Sequence, residues 1–281
     1  AGSPLFLLLT MLSRSPFSAA LLGACLLLCA CKHAPDEKAR RGAEIQNDLA
    51  VGSLNQGDYK SAYAEFQQAV QLDDTLADAH NGLGLLLHLN YQKFPESEAQ
   101  YKRALELQPA FPEAHVNLGN LYLDEGRYDE AIVQYEIALN DMLYRTPHFA
   151  QSNLGWALYK KGQTDKAIES VRAAITVAPN FCQGWRTLGL IYDGTGKTEK
   201  ACDAFGEFAQ SCPTVAEAHH LLGVCRAKLG RNDLARASFA ACVERTTAGS
   251  LHDDCASFLA RLGGPLPVPP APHPAPAPPK P

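Results

Sequence analysis

The chain has no excess of basic charge. Its 25 Lys and Arg stand against 30 Asp and Glu, a formal net charge of −5, and no basic stripe is visible. Nucleic acid is therefore not an expected partner, because phosphate contacts need clustered Lys and Arg. Metal-ligand spacings are lacking too. No Cys-x-x-Cys or His-x-x-x-His occurs among the nine cysteines and nine histidines, so zinc is not expected. The run Gly194, Thr195, Gly196, Lys197, Thr198 looks like the end of a phosphate loop. Yet Ile191 stands where such a loop needs glycine, and no strand precedes it. No Ser–His–Asp set and no paired carboxylates have a positional argument behind them. The expectation is a protein that is not an enzyme, with no cofactor, no metal and no small-molecule substrate.

What is present is a period. Gly84, Gly119, Gly155, Gly189 and Gly223 follow one another at intervals of 35, 36, 34 and 34 residues, each after a leucine. A second glycine comes seven residues later at Gly126, Gly162, Gly196 and Gly230, with Gly57 in the matching place upstream. Alanine recurs at Ala62, Ala131, Ala167, Ala201 and Ala235, and a larger apolar residue at Phe66, Tyr101, Tyr135, Val171, Phe205 and Phe239. Apolar residues between them keep helical spacing. The unit is a helical hairpin: small residues allow close approach, and the second glycine makes the turn. Prolines at Pro109, Pro147, Pro179 and Pro213 stop units, since proline cannot continue the ladder. The fold class is all-α, a stacked helical array of a kind that mostly binds other proteins.

These positions resemble the tetratricopeptide repeat, with 115–139 close to its consensus. Six units are expected at 43–76, 77–111, 112–147, 148–181, 182–215 and 216–249, the first having Leu49–Ala50 in place of Leu–Gly. One extra residue falls near 90–93 and two more near 141–145, and a helix at 250–262 would cover the open end. The resemblance implies that first helices line a concave face. Its residues there would be Val51, Leu54, Leu85, His88, Leu89, Val116, Leu123, Phe149, Trp156 and Tyr159, an apolar strip through the first four repeats. Later repeats are more polar, with Arg186, Asp193, Glu217, His220 and Lys228. An exposed apolar strip marks a binding site, here for an amphipathic helix or an extended apolar segment. A carboxylate clamp is not expected, because Asn47, Asn81 and Asn120 stand isolated among Val51, Leu85 and Trp156. His80, His115, His219 and Trp185 share one repeat position and read as packing residues.

The segment 11–30 resembles a bacterial export signal, with Arg14 before an apolar run at 17–28 that is too short to span a bilayer comfortably. Residues ahead of Met11 are read as extraneous to it. Leu28, Cys29, Ala30, Cys31 resembles a lipobox, which implies diacylation of Cys31; Cys25 is the rival, and an ordinary signal or a membrane helix the plainer alternative. Acyl chains hold a protein to a bilayer by about 0.8 kcal/mol per methylene. Lys32 after the cysteine, rather than Asp, favours the outer membrane, and 32–42 reads as a short tether.

Six cysteines remain, Cys182, Cys202, Cys212, Cys225, Cys242 and Cys255, all in the last two repeats and the end helix. An even number in an exported chain points to disulfides, with buried thiols as the alternative. Repeat geometry favours Cys182–Cys212, Cys202–Cys225 and Cys242–Cys255. From 263 to 281 proline dominates, and the segment is read as an extended, disordered tail.

The whole layout of lipobox, tether and six repeats resembles the pilotins of type IV pilus systems. That resemblance implies binding of the outer-membrane secretin of the pilus machine, help with its multimer assembly, and thereby pilus extension and motility. The rival is a periplasmic repeat scaffold for cell-wall or outer-membrane assembly proteins.

Overall fold

The computed structural model describes residues 36–263; the signal, Cys31 and the proline tail lie outside the described residues. Thirteen helices and no strand occur among the described residues. They are α1 (Glu37–Asn55), α2 (Tyr59–Leu72), α3 (Ala77–Leu89), α4 (Phe94–Leu107), α5 (Pro112–Asp124), α6 (Tyr128–Leu139) and α7 (Pro147–Lys160). Then come α8 (Thr164–Val177), α9 (Cys182–Gly194), α10 (Thr198–Ser211), α11 (Ala216–Lys228), α12 (Asn232–Glu244) and α13 (Ser250–Arg261). They form six hairpins and one closing helix, a solenoid in which each element packs on its sequence neighbours and odd-numbered helices also touch along one side. The first helix begins earlier than the repeat boundary at 43. Asp36 caps it by accepting from the Lys38 N–H, so 37–42, read as tether, is helical.

There is no single core centre. Buried side chains form a row of clusters, each shared between adjacent hairpins. Alanines at the close crossings, Ala62, Ala131, Ala167, Ala201 and Ala235, are all fully buried. The second repeat has Ser97 at this place, and its hydroxyl satisfies itself on the Gly84 carbonyl at 2.7 Å. Opposite the Leu–Gly glycine sits the large apolar residue of the second helix. A Cβ on Gly119 would lie 2.6 Å from Tyr135 Cε1, closer than packed atoms approach.

The hairpin turns explain the second glycine. Gly126 has φ of +75°, and the following N–H of Arg127 reaches back to the Tyr122 carbonyl at 2.8 Å. The second repeat departs from this. Its extra residue lengthens the turn, the Lys93 N–H reaches the Leu87 carbonyl, and Gln92 takes the left-handed position with φ of +52°. The run 194–198 occupies the equivalent turn of the fifth repeat, with Gly196 at φ of +72°.

The His and Trp position is more than packing. His80, His115 and His219 each place Nε2 within 3.1 Å of the carbonyl six residues earlier, on Asp74, Pro109 and Pro213. Trp185 Nε1 donates to the Pro179 carbonyl at 2.7 Å. What His and Trp share is a flat ring with an N–H, and that donor ties each first helix to the connection before it.

Candidate functional site

The odd-numbered helices lie side by side and share one face. A cleft of about 490 Å³ crosses that face obliquely, from the end of α3 over α5 to the starts of α7 and α9. Of the residues read from the sequence, His88, Leu89, Val116, Leu123 and Phe149 meet in it. Leu54, Leu85, Trp156 and Tyr159 do not line it. They are half-buried and pack on the hairpin cores, Trp156 and Tyr159 against each other at 5.3 Å. Val51 is exposed and stands apart on α1.

The cleft is not a plain apolar strip. Asn117, Asn120, Asn153 and Gln183 line it, and each takes part in a side-chain amide bond from one repeat to the next. Asn117 Nδ2 donates to Asn81 Oδ1 at 3.0 Å. Asn153 Nδ2 donates to Asn120 Oδ1 at 2.8 Å, and Gln183 Nε2 to Asn153 Oδ1 at 2.7 Å. Of the asparagines read as isolated, Asn81 pairs with Asn117 and Asn120 opens a row of side-chain amides through Asn153 to Gln183, while the buried Asn47 Oδ1 has no partner. Tyr135 locks the row from below, its hydroxyl donating to Asn120 Oδ1 at 2.8 Å. Burial pushes the Tyr135 phenol far above its ordinary range, so it stays a donor. The available signal in the sequence was the near-repeat spacing from Asn81 to Asn117 and from Asn120 to Asn153; the helix face on which they meet needed coordinates.

Carboxylates but no Lys or Arg line the cleft. His88 is 2% exposed, with Nε2 on Asp124 Oδ2 at 2.9 Å and its ring edge-on to Phe94. Its Nδ1 is buried without a partner. Glu113 and Asp124 give the rim negative charge, which disfavours a carboxylate tail as occupant. An amide offers both a donor and an acceptor, the pattern of a peptide backbone. The arrangement suits an extended peptide segment, held by amides along its backbone and by Leu89, Val116, Leu123 and Phe149 along its apolar side chains.

Away from the cleft, ion pairs join the hairpin turns. Arg127 bridges Glu98 at 3.0 Å and Glu125 at 2.8 Å, and lies 4.0 Å above the Tyr122 ring. The Arg127 guanidinium holds the Glu98 carboxyl down at about 2, against the cost of its burial. Among the described residues no group of three His, Cys, Asp or Glu side chains could hold a metal ion, and no helix is long and apolar enough to cross a membrane. The six cysteines are joined as Cys182–Cys212, Cys202–Cys225 and Cys242–Cys255, with Cα–Cα distances of 6.0, 5.5 and 6.2 Å. The bridges tie α9 to the end of α10, α10 to α11, and α12 to α13.

Comparison with known proteins places this geometry. Residues 54–90, 87–140, 148–181 and 216–247 match models of the tetratricopeptide repeat. The crystal structure of PilW, a widely conserved type IV pilus biogenesis factor, superposes with a TM-score of 0.68 at 21% identity, covering 75% of this chain and 96% of that one. Pseudomonas aeruginosa pilF gives 0.66 at 20% identity, covering 80% of this chain and 100% of that one. Cut9 in its complex with Hcn1 also gives 0.66, at 15% identity and over 46% of its own chain. At these identities the likeness is one of fold. Among curated proteins, the peroxisomal targeting signal receptor of Candida albicans is 31% identical over 80 residues, and this chain spans 14% of its length.

Proposed function

From the premise that this chain is a solenoid of tetratricopeptide repeats, we propose that it is an outer-membrane lipoprotein of the pilotin type. In this reading it binds the secretin of a type IV pilus machine and promotes its membrane insertion and multimer assembly. The observation that carries the reading is the cleft across α3, α5, α7 and α9: a row of amides flanked by apolar side chains, free of Lys and Arg. It fits an extended, apolar segment, the kind that a subunit bound for a bilayer exposes before insertion. The likeness of fold to two pilus proteins over nearly their whole length supports the choice of partner. So does the sequence layout, which within the pilotin family looks most like its social-gliding motility lipoprotein.

The mechanism is physical. Acyl chains on Cys31 hold the array at the inner leaflet of the outer membrane. The cleft shields the insertion-prone segment in the periplasm, and anchoring raises the local concentration of subunits where they must assemble. The test is the amount of heat-resistant secretin multimer in cells lacking the protein and in cells carrying Cys31→Ala. Loss of multimer with monomer persisting supports the reading, and the Cys31 variant reports the need for the anchor. Unchanged multimer in the deletion strain refutes it and leaves a repeat scaffold for another assembly partner.

A further inference from the structure

The solenoid has two edges. One carries the turns within hairpins, the other the connections between repeats. The two differ in chemistry. The hairpin-turn edge carries Glu125, Arg127, Lys161, Lys197 and Arg231, and ion pairs cross it from repeat to repeat, such as Arg231–Glu199 at 2.9 Å and Lys228–Asp193 at 2.7 Å. On the other edge the connections 108–111, 178–181 and 212–215 contain no charged residue, and each contains a proline, while 73–76 carries Asp73 and Asp74, 140–146 carries Asp141 and Arg145, and 245–249 carries Arg245. Val177 and Val215 are 58% and 36% exposed there. The longest connection, 140–146, presents Met142 and Leu143 at 98% and 87% exposure.

That pair is held out by a built turn. Asp141 Oδ1 accepts from the Leu143 N–H at 2.8 Å, and the Asp141 carbonyl accepts from the Tyr144 N–H at 3.2 Å. Tyr144 folds back into the cleft and is 9% exposed, which pins the far side of the turn. Arg145 follows, exposed and cationic. Two adjacent apolar side chains fixed in water have no stabilising role in the array itself.

The same edge carries the entry point of the chain. The end of α2 lies beside the start of α1, where a Cβ on Gly42 would touch Leu72 at 3.4 Å. The starts of α7 and α9 adjoin through Phe149 and Phe181 at 4.9 Å. Cys182 at the start of α9 is bridged to Cys212 at the end of α10. Asp36 therefore stands on the edge of the connections between repeats, five residues after Cys31 in the sequence.

We propose that this edge is a lipid-facing surface, with Met142 and Leu143 entering the boundary between headgroups and acyl chains and Arg145 on anionic headgroups. The inference rests on the lipid-anchor reading above and adds an orientation to it. Anchored at Cys31, the array lies edge-on to the bilayer, and the concave face stays open at the side. The Tyr144–Phe149 end of the cleft is then nearest the membrane, so a bound segment is presented where it must insert. An apolar tip beside a cation is the usual composition of an interfacial contact.

The test uses the acylated full chain on vesicles of phosphatidylethanolamine with a minority of phosphatidylglycerol, with and without lipids brominated along the acyl chain. Tryptophan is introduced as Met142→Trp or, on the opposite edge, as Lys197→Trp, against the background of Trp156 and Trp185. Both positions are exposed, and unchanged far-UV circular dichroism verifies the fold. The expected result is that the emission added at 142 shifts to the blue and falls by at least about half in brominated vesicles, while that at 197 is unchanged. If the chain does not stay on vesicles at all, the anchor reading fails and the orientation with it. If it stays and position 142 is quenched no more than position 197, the orientation fails alone and the anchor stands.

Discussion

Gly119→Ala tests whether packing under the cleft also governs the cleft. In an exposed helix this change gains about 1 kcal/mol of propensity. Here the new Cβ would lie 2.6 Å from Cε1 and 2.9 Å from Cδ1 of Tyr135. Tyr135 is fully buried, so its ring has no open direction in which to move. Overpacking of this kind costs about 1–3 kcal/mol. Displacing the ring also breaks the hydroxyl bond to Asn120 Oδ1, worth about 0.5–1.5 kcal/mol. Set against the propensity gain, the net effect is a loss of about 0.5–3.5 kcal/mol. Gly52→Ala is the control. It lies in the last turn of α1 with nothing near its Cβ, and it should gain up to about 1 kcal/mol. Urea unfolding followed by far-UV circular dichroism measures both. Because the ring supports the amide row, Gly119→Ala should also weaken binding of a cleft peptide, which Gly52→Ala should not. If Gly119→Ala stabilises the chain as Gly52→Ala does, the close-approach account of the repeat glycine is wrong.

Further outcomes follow from the same geometry. Glu98 is a depressed carboxylate, so its contribution to stability is complete above the ordinary 4.5 and is lost as pH falls through about 2. Glu98→Gln should remove that part of the acid dependence in thermal melts taken between these values. Reducing the three disulfides should loosen α9–α13 while leaving α1–α8 protected in hydrogen exchange, at about 3 kcal/mol per bridge for loops of this size. Uniform loss of protection along the array would argue against independent stapling of that end. Asn153→Leu interrupts the amide row at its middle and should weaken an apolar peptide in the cleft by roughly tenfold or more, measured by fluorescence anisotropy.

The repeat was legible in the sequence because its physics is local. A glycine opposite a buried ring, an alanine at a crossing and a glycine in a left-handed turn each admit few residue types, so they recur where the backbone recurs. Hence Gly119 and Tyr135, or Gly126 and its turn, could be matched to roles before any coordinates. The same constraint located the irregular turn near 90–93, although not that Gln92 would take glycine's conformation there. It did not give the start of α1, because a charged stretch reads equally well as tether or as helix until Asp36 is seen to cap it.

The cleft was legible only in part. Helical position gives the side on which a residue points, which suffices for Leu89, Val116 and Phe149. It does not give how far one repeat is rotated against the next, and that rotation decides which residues meet. Leu85, Trp156 and Tyr159 share the cleft residues' repeat positions yet turn into the hairpin cores. Asn120 and Asn153 occupy different repeat positions yet hydrogen-bond. The sequence by itself determined the hairpin, its length and its repetition, since these depend on contacts within about one repeat of a residue. Tertiary structure alone decided the amide row, the oblique course of the cleft and the contrast between the two edges. These depend on the angle at which successive hairpins stack, a sum of many side-chain contacts that no single position encodes.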